Sequence, residues 1–227
     1  MRVIANMIGR NEGDRYLADV LQHLQKFVDL IVFTDDASTD DTFLIARDHG
    51  ASVLRIDEPL FGVDESRLRS YAWDHLSFHA EPNDWVLAID CDEKLYGWEN
   101  LALTLPKTQV GAIGIFFYHM WSPTKYRVDK AWRPDHQFRL FRFMPDGHFR
   151  PKRLACGSTP TYVNEFVRSG RAVIDPSLRM QHLGYMRDDD KLAKYDRYMA
   201  LDGGRYHSLR HLESIVDPNP VLVKWDE

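Results

Sequence analysis

Residues 84–95 read DWVLAIDCDEKL, a short apolar run that ends in three acidic residues within four positions. The run at 85–89 is predicted to be a buried β-strand because all of its side chains are apolar. If the chain stays extended beyond it, Asp90 and Asp92 point to the same side, since successive side chains of a strand alternate. Two carboxylates at a strand end suit a hard divalent cation such as Mg²⁺ or Mn²⁺. The alternative is that these acids only terminate the strand.

The first half of the chain alternates predicted strands with predicted helices. Apolar runs at 2–7, 30–34, 51–56 and 85–89 are separated by segments with helical periodicity. This alternation is typical of a parallel sheet with helices on both faces, in which ligands bind at the carboxyl ends of the strands. The polar residues that follow the strands are therefore predicted to share one edge of the sheet: Asn11, Asp35, Asp36 and residues 90–93.

After residue 110 the pattern changes. Longer aromatic strands are predicted at 110–121 and 136–143, a helix at 189–202, and a proline-containing surface tail from 215 onwards. The prediction is a single α/β domain in three parts: a nucleotide-type half at 1–110, an acceptor-type half at 111–187, and C-terminal helices and a tail at 188–227.

The composition is that of an ordinary globular protein, with 44% apolar and 28% charged residues. No apolar run approaches the roughly 18–20 residues of a membrane span, and the N-terminus has the pattern of a strand rather than a secretory signal. Two cysteines, Cys91 and Cys156, do not make a disulfide framework, although a bridge between them stays open. A cytoplasmic location is therefore expected.

Charge is distributed unevenly along the chain. Residues 1–110 hold 20 acidic and 10 basic residues, whereas residues 111–227 hold 14 acidic and 19 basic residues. The basic excess is concentrated at 125–153, with nine basic and three acidic residues. An acidic half beside a basic half suits a site that holds a metal ion and a phosphate-bearing ligand.

Five segments resemble, in order and spacing, the signatures of the family 2 glycosyltransferases. One of them, DESRLRSYAWDHL at 64–76, resembles the segment that carries a nucleotide-contacting arginine, here Arg69. IVFTDDASTDDT at 31–42 resembles the family's VVDDGSTDGT, and DWVLAIDCDE at 84–93 resembles its DWILxLDADE element. MIGRNE at 7–12 resembles the family's xxNE, and residues 181–202 are similar to its HLGY…K…RY…D block. The resemblance implies a GT-A fold, an inverting mechanism and transfer of a sugar from a nucleoside diphosphate donor, with UDP as the expected nucleotide.

The resemblance also implies roles for individual residues. Those expected to contact the nucleotide are Asn11, Glu12, Asp35, Asp36, Arg69 and Asp90. Those expected to hold Mn²⁺ or Mg²⁺ are Asp92, Asp90 and His182. For the Asp35–Asp36 pair the alternative is turn formation, because Asp side chains bond readily to nearby backbone. For His182 the alternative is a structural histidine.

Four further residues complete the expected site. Arg187, Lys191 and Lys194 are candidates to neutralise the leaving diphosphate, and a solvated basic helix face is the alternative. Inversion requires a base opposite the leaving group, and Asp135 is the candidate on a loop leading into a strand. Trp132 is a candidate to stack on the acceptor sugar, with ordinary packing as the alternative.

Three functions are consistent with these observations. The first is metal-dependent sugar transfer to a glycan, a lipid-linked sugar or a protein. The second is the same chemistry on a modified nucleic-acid base, which the basic and aromatic stretch at 121–153 would suit. The overall acidity and the lack of a nucleic-acid-binding motif speak against it. The third is a non-catalytic module that binds a sugar nucleotide or a glycan, which the intact acids and His182 disfavour.

Overall fold

The computed structural model describes residues 1–101, 105 and 109–226. The strands are β1 (Val3–Gly9), β2 (Leu30–Asp35), β3 (Ser52–Arg55), β4 (Trp85–Ala88), β5 (Glu93–Tyr96), β6 (Ala112–Ser122), β7 (Lys125–Arg127), β8 (Asp135–Arg142), β9 (Ala172–His182) and β10 (Leu222–Lys224). The helices are α1 (Leu17–Leu24), α2 (Thr42–Asp48), α3 (Glu65–Ser77), α4 (Tyr162–Arg168), α5 (Asp188–Leu201) and α6 (Leu209–Ser214).

The strands form one mixed sheet in the order β10, β7, β6, β8, β4, β1, β2, β3, and β9 lies between β6 and β5. β1 runs parallel to both β2 and β4, and β2 runs parallel to β3. β8 is antiparallel to β4 and to β6, so it joins the parallel half to the second half of the chain. The predicted α/β class, with a mostly parallel sheet in the first half, is confirmed.

Alternate residues of the central strand β1 face opposite helical layers, as the two-residue period of a strand requires. Met7 packs in one apolar cluster with Leu21 of α1. Ile4 packs in a second cluster with Leu76 of α3. Both faces of the parallel half are therefore covered, which leaves the edge at the strand ends as the accessible polar surface.

The C-terminal segment differs from the predicted surface tail. It forms α6 and then β10, which pairs antiparallel with β7. Arg127 of β7 is fully buried and donates hydrogen bonds to Asp129, Asp217 and the carbonyl oxygen of Ser214. Part of the predicted tail is thus held to the sheet by a buried guanidinium group.

Two expectations from composition can be compared with the structure. Cys91 and Cys156 are both buried and free, so the disulfide that the sequence left open is not formed. None of the helices within the described residues is both long and apolar enough to cross a bilayer.

A turn at Gly97 limits how β5 and β9 can pack. Gly97 has a φ of 79°, and a Cβ atom there would overlap the carbonyl oxygen of Ser177 in β9. Gly50 has a similar φ of 76°, but nothing lies within 4 Å of the Cβ position. The two glycines therefore share one backbone conformation and differ in the space around it.

This difference predicts unequal costs for the same substitution. Gly50→Ala should lower the free energy of unfolding by about 1–2 kcal/mol, the cost of a left-handed alanine. Gly97→Ala should cost about 1–3 kcal/mol more, because the added methyl group overpacks the β5–β9 contact. Equilibrium unfolding in urea measures both values, and equal losses would show that the Ser177 contact relaxes freely.

Candidate active site

The polar edge predicted from the sequence exists at the carboxyl ends of β1 and β4. The β1–β2 register pairs Gly9 with Asp35, so the loops after both strands begin at the same level. A cavity of about 530 Å³ opens there. It is lined by Ile8, Gly9, Arg10, Asn11, Glu12, Arg15, Asp36, Phe61, Glu65, Leu68, Arg69, Asp90, Cys91, Asp92, His182, Tyr185, Lys194, Arg197 and Tyr198.

The two aspartates after β2 have different positions. Asp35 is fully buried beside Arg55, with Oδ2 3.4 Å from Nε, and it does not line the cavity. Asp36 lines the cavity, and its carboxylate accepts hydrogen bonds from the backbone N–H groups of Leu60 (2.7 Å) and Phe61 (3.1 Å). Asp36 therefore fixes the loop that forms one wall of the cavity.

The loop after β1 is fixed by hydrogen bonds to the loop after β2. Asn11 has a positive φ of 53°, and its side-chain oxygen accepts a hydrogen bond from the N–H group of Thr39 at 2.8 Å. The Glu12 N–H group donates to the hydroxyl of Thr42, and the Glu12 carboxylate is paired with Arg15 at 2.8 Å. The Glu12 carboxylate is thereby held at the cavity wall.

Burial changes the protonation of Glu12. Desolvation raises the pKa of Glu12 to about 7, and the nearby Asp92 carboxylate also raises it, while Arg15 opposes the rise. At neutral pH, Glu12 is therefore close to half-protonated and can donate as well as accept a hydrogen bond.

The acidic run after β4 is a turn, not an extended strand. β4 ends at Ala88, and the N–H group of Glu93 donates to the carbonyl oxygen of Asp90 at 3.2 Å. The buried Glu93 carboxylate accepts a hydrogen bond from the Asp90 N–H group and contacts Arg139 at 3.3 Å. The expectation that Asp90 and Asp92 share one strand face is therefore wrong, because the chain turns between them.

After this turn the two aspartates have different partners. The Asp90 carboxylate lies 3.6 Å from Arg139. The Asp92 carboxylate lies 3.3 Å from Nε2 of His182 and 3.5 Å from Nζ of Lys194. Asp92 and His182 come together because β5 pairs with β9 in a register that places Glu93 opposite His182. The structure thus brings Asp92 into contact with His182, while Asp90 lines the same cavity and contacts Arg139.

The second ring nitrogen of His182 is also engaged. Its Nδ1 atom lies 2.9 Å from Nδ1 of His119, so one ring donates and the other accepts. Burial lowers the pKa of His119 well below its usual range, and the neighbouring His182 and Lys194 lower it further. This contact between the two Nδ1 atoms orients the His182 ring, so that Nε2 of His182 is directed towards Asp92.

Asp92 and His182 offer one carboxylate oxygen and one imidazole nitrogen, which is a donor set that suits Mn²⁺ or Mg²⁺. Burial alone would raise the pKa of Asp92, but His182 and Lys194 hold it well below its usual range, so the carboxylate is ionised. Across the described residues, no three His, Cys, Asp or Glu side chains converge on one point. The two side chains therefore fit a cation whose other ligands come from a bound substrate or water.

Cationic side chains lie around the rest of the cavity. Arg69 lines it and is paired with the buried Glu65 at 3.4 Å, and Glu65 also accepts a hydrogen bond from the N–H group of Cys156. Arg197 lines it above the ring of Phe61 and has no ion pair within the described part of the chain. Arg197 is thus available to a bound anion.

Several predicted residues lie outside the cavity. Arg187 donates to the carbonyl oxygen of Asp14, and Lys191 is paired with Asp188 at 2.7 Å. The side chain of Asp135 is 88% exposed at the start of β8, where it contacts His136.

Trp132 is buried rather than open to a sugar. It is 1% exposed, packs against Trp121 and Tyr185, and donates to the hydroxyl of Ser214. Ordinary packing, the alternative that the sequence left open, is the arrangement the structure shows for this side chain.

The cavity residues that were not predicted from the sequence include Arg15, Glu65, Tyr185 and Arg197. Helical spacing could have indicated Arg197, since it lies three residues after Lys194 on α5 and so shares a helix face with it. Glu65 gives no comparable signal in the sequence. Its carboxylate is held by a hydrogen bond from the N–H group of Cys156, which is 91 residues away in the chain.

No protein-family model matches the chain. A Rickettsia felis protein named an uncharacterized glycosyltransferase is 36% identical over 94 residues, which is 41% of this chain and 30% of that protein. An uncharacterized Mycobacterium bovis protein is 27% identical over 218 residues, covering 89% of this chain and 51% of that protein. The chain thus spans only about a third to a half of the length of these relatives.

Solved structures share the fold along nearly the whole chain. The mannosyltransferase PcManGT of Pyrobaculum calidifontis, solved with GDP-Man and Mn²⁺, is 15% identical with a TM-score of 0.54, covering 97% of this chain and 66% of that one. S. aureus TarS 1–349, solved with UDP-GlcNAc, is 16% identical with a TM-score of 0.55, covering 95% of this chain and 70% of that one. The predicted GT-A fold is confirmed.

The raised pKa of Glu12 predicts a pH-dependent effect of Glu12→Gln. Because the folded state favours the protonated carboxyl group, Glu12 contributes most to wild-type stability below its unfolded pKa, and this contribution is lost as the pH rises through about 7. The melting temperature of Glu12→Gln relative to wild type should therefore increase between about pH 5 and about pH 8.

Thermal unfolding across this pH range measures the effect. Glu213→Gln, at an exposed position of α6, is the matched control and should show a much flatter difference. A difference for Glu12→Gln that falls as the pH rises would contradict the assignment of a desolvated Glu12.

Proposed function

We propose that this protein transfers a sugar from a nucleoside diphosphate donor to a hydroxyl group of an acceptor. The observation that carries the proposal is the contact of Asp92 with His182 at a cavity that Lys194 and Arg197 also line. The glycosyltransferase name of the Rickettsia felis relative, the mannosyltransferase name of PcManGT and the UDP-GlcNAc bound to TarS support this reaction class.

The diphosphate of the donor is proposed to bind between Lys194 and Arg197. Both side chains line the cavity, and phosphate oxygens accept charge-assisted hydrogen bonds from such groups. Arg187 and Lys191, the other candidates from the sequence, are less suited in this conformation because each already has a partner outside the cavity.

A divalent cation held by Asp92 and His182 would supply positive charge to the phosphate oxygens and favour departure of the nucleoside diphosphate. Mn²⁺ is the proposed ion, with Mg²⁺ as the alternative, and the presence of Mn²⁺ together with GDP-Man in the PcManGT structure supports this proposal. The positive charges of Lys194 and Arg197 would further stabilise the negative charge that develops on the departing nucleoside diphosphate.

The nucleoside is proposed to lie towards Asp36, Asn11 and Arg69. Asp36 holds the Leu60–Phe61 backbone as a wall, and Arg69 is fixed by its ion pair with Glu65. UDP is the proposed nucleotide on the sequence resemblance, and TarS was solved with a UDP-sugar.

Transfer is proposed to invert the anomeric centre. The acceptor oxygen forms a bond to the anomeric carbon, the bond from that carbon to the diphosphate breaks, and a carboxylate takes the acceptor proton. Asp135 is the proposed base: its carboxylate is exposed, and its backbone pairs with Phe117 of β6, two residues before the His119 that contacts His182.

Substitution of Asp92 tests the proposed donor site. Asp92→Asn should abolish the cation-dependent part of UDP binding, since the amide removes the charged ligand. In wild type, UDP with Mn²⁺ at about 100 times its dissociation constant should stabilise the folded state by about 2.7 kcal/mol, and a chelator should remove this gain.

Thermal shift with UDP, GDP, dTDP and CDP, each with Mn²⁺ and with a chelator, measures this effect. Asp189→Asn, which removes an exposed acid from the first turn of α5, should behave as wild type does. Chelator-sensitive stabilisation of Asp92→Asn equal to that of wild type would remove Asp92 from the cation site.

Substitution of Asp135 separates binding from transfer. Asp135→Asn should leave UDP binding near the wild-type value and reduce the rate of sugar transfer by at least about 100-fold, the lower range for loss of a general base. The assay is transfer to an acceptor found by screening sugars, lipid-linked sugars and peptides. Retained turnover would place the base elsewhere.

A further inference from the structure

Within the described residues, the polar contacts of Lys194 are with the two proposed cation ligands. Its Nζ atom lies 3.5 Å from Oδ2 of Asp92 and 3.4 Å from Nε2 of His182. Those two atoms lie 3.3 Å from each other. The three atoms thus form a nearly equilateral triangle, with the ammonium group at the corner where the carboxylate and the imidazole converge.

The backbone encloses this triangle. A Cβ atom on Gly184 would overlap both Oδ2 of Asp92 and Nζ of Lys194, and it would lie 3.2 Å from Nε2 of His182. The absence of a side chain at position 184 is therefore required for the three groups to meet. A second positive charge bound to Asp92 and His182 would therefore lie close to the ammonium group of Lys194 and be repelled by it.

The burial of Lys194 explains why its ammonium group stays beside Asp92. Lys194 is only 9% exposed, and its Nζ atom lies 4.3 Å from the centre of the Tyr185 ring. A buried ammonium needs a counter-charge, and Asp92 supplies it. Conversely, if Lys194 were removed, the buried Asp92 carboxylate would lose its contact with the ammonium group and keep its contact with His182.

We propose that Lys194 is the resident cation of the free protein: its ammonium group occupies the position between Asp92 and His182 that a divalent cation takes when the donor binds. This inference rests on the proposed function, because it assigns the divalent cation to those two residues. Entry of the metal ion then requires Lys194 to leave, since the two positive charges would repel each other at contact distance.

The same geometry gives Lys194 a place to go. Lys194 lines the cavity proposed to hold the donor diphosphate, so an ammonium group displaced from Asp92 can pair with a phosphate oxygen. Metal ion and donor then bind best together, because the donor supplies a new partner for the displaced lysine. The metal ion alone binds weakly, because it must leave a lysine without a counter-charge.

Binding of Mn²⁺ without any nucleotide tests this proposal, with loss of the free-ion signal in electron paramagnetic resonance as the readout. Lys194→Met keeps the length and packing of the side chain and removes its charge, so Mn²⁺ should bind at least about tenfold more tightly than to wild type. Lys194→Gln should show the same direction and replaces Lys194→Met if that variant does not fold.

Two control variants separate the local effect from net charge. Lys194→Arg keeps the charge and should stay close to wild type in Mn²⁺ affinity. Lys191→Met removes one positive charge from the same helix at a residue paired with Asp188 outside the cavity, and it should also stay close to wild type.

The possible outcomes are distinct. Tighter Mn²⁺ binding by Lys194→Met or Lys194→Gln, with neither control changed, supports the proposal. Equal or weaker binding by both charge-removing variants overturns it and leaves the Asp92–His182 cation site standing. An equal gain in Lys191→Met also overturns it, because the effect is then one of net charge. No Mn²⁺ binding by any variant, wild type included, overturns both this inference and the cation site.

Discussion

The pairing of β5 with β9 is the constraint on which the site depends. Glu93 stands opposite His182 in this ladder, and the N–H group of Leu183 donates to the carbonyl oxygen of Asp92 at 2.7 Å. On its other side β9 pairs with β6, which places His119 opposite His182. Two backbone ladders thus hold His182 between residues about 60 and 90 positions away in sequence, and side-chain contacts alone could not fix it as firmly.

The uneven charge along the sequence has a structural counterpart at this site. Acidic residues of the first half are paired with basic residues of the second: Asp92 with Lys194, and Glu93 with Arg139. Burial raises the pKa of the Glu93 carboxyl group, and the Arg139 guanidinium group opposes this rise. Such pairs make buried charge tolerable, and they also mean that removing either partner leaves the other charge unpaired.

The first half of the fold was predictable because local pattern and final structure agree there. The buried strand β4 is a continuous apolar run, and Asp64 caps α3 by accepting a hydrogen bond from the N–H group of Arg67. β9 was not predicted because Asp175 and Pro176 interrupt it, and proline is a poor strand residue. At the site, the sequence placed the right residue types on the right edge. It could not show that a turn separates Asp90 from Asp92, because that turn depends on Glu93 and the distant Arg139.

Arg127 has a consequence for how the molecule unfolds. Its guanidinium group is fully buried and binds Asp129 on its own side of the chain, and Asp217 and Ser214 on the other. If the segment that carries α6 and β10 detached, the Arg127 guanidinium group would stay buried and would lose its hydrogen bonds to Asp217 and Ser214. Local opening of this segment therefore has a high free energy. Its amide hydrogens should exchange only when the neighbouring strands β6 and β7 also open. The last part of the chain and the strand bearing His119 thus behave as one cooperative unit.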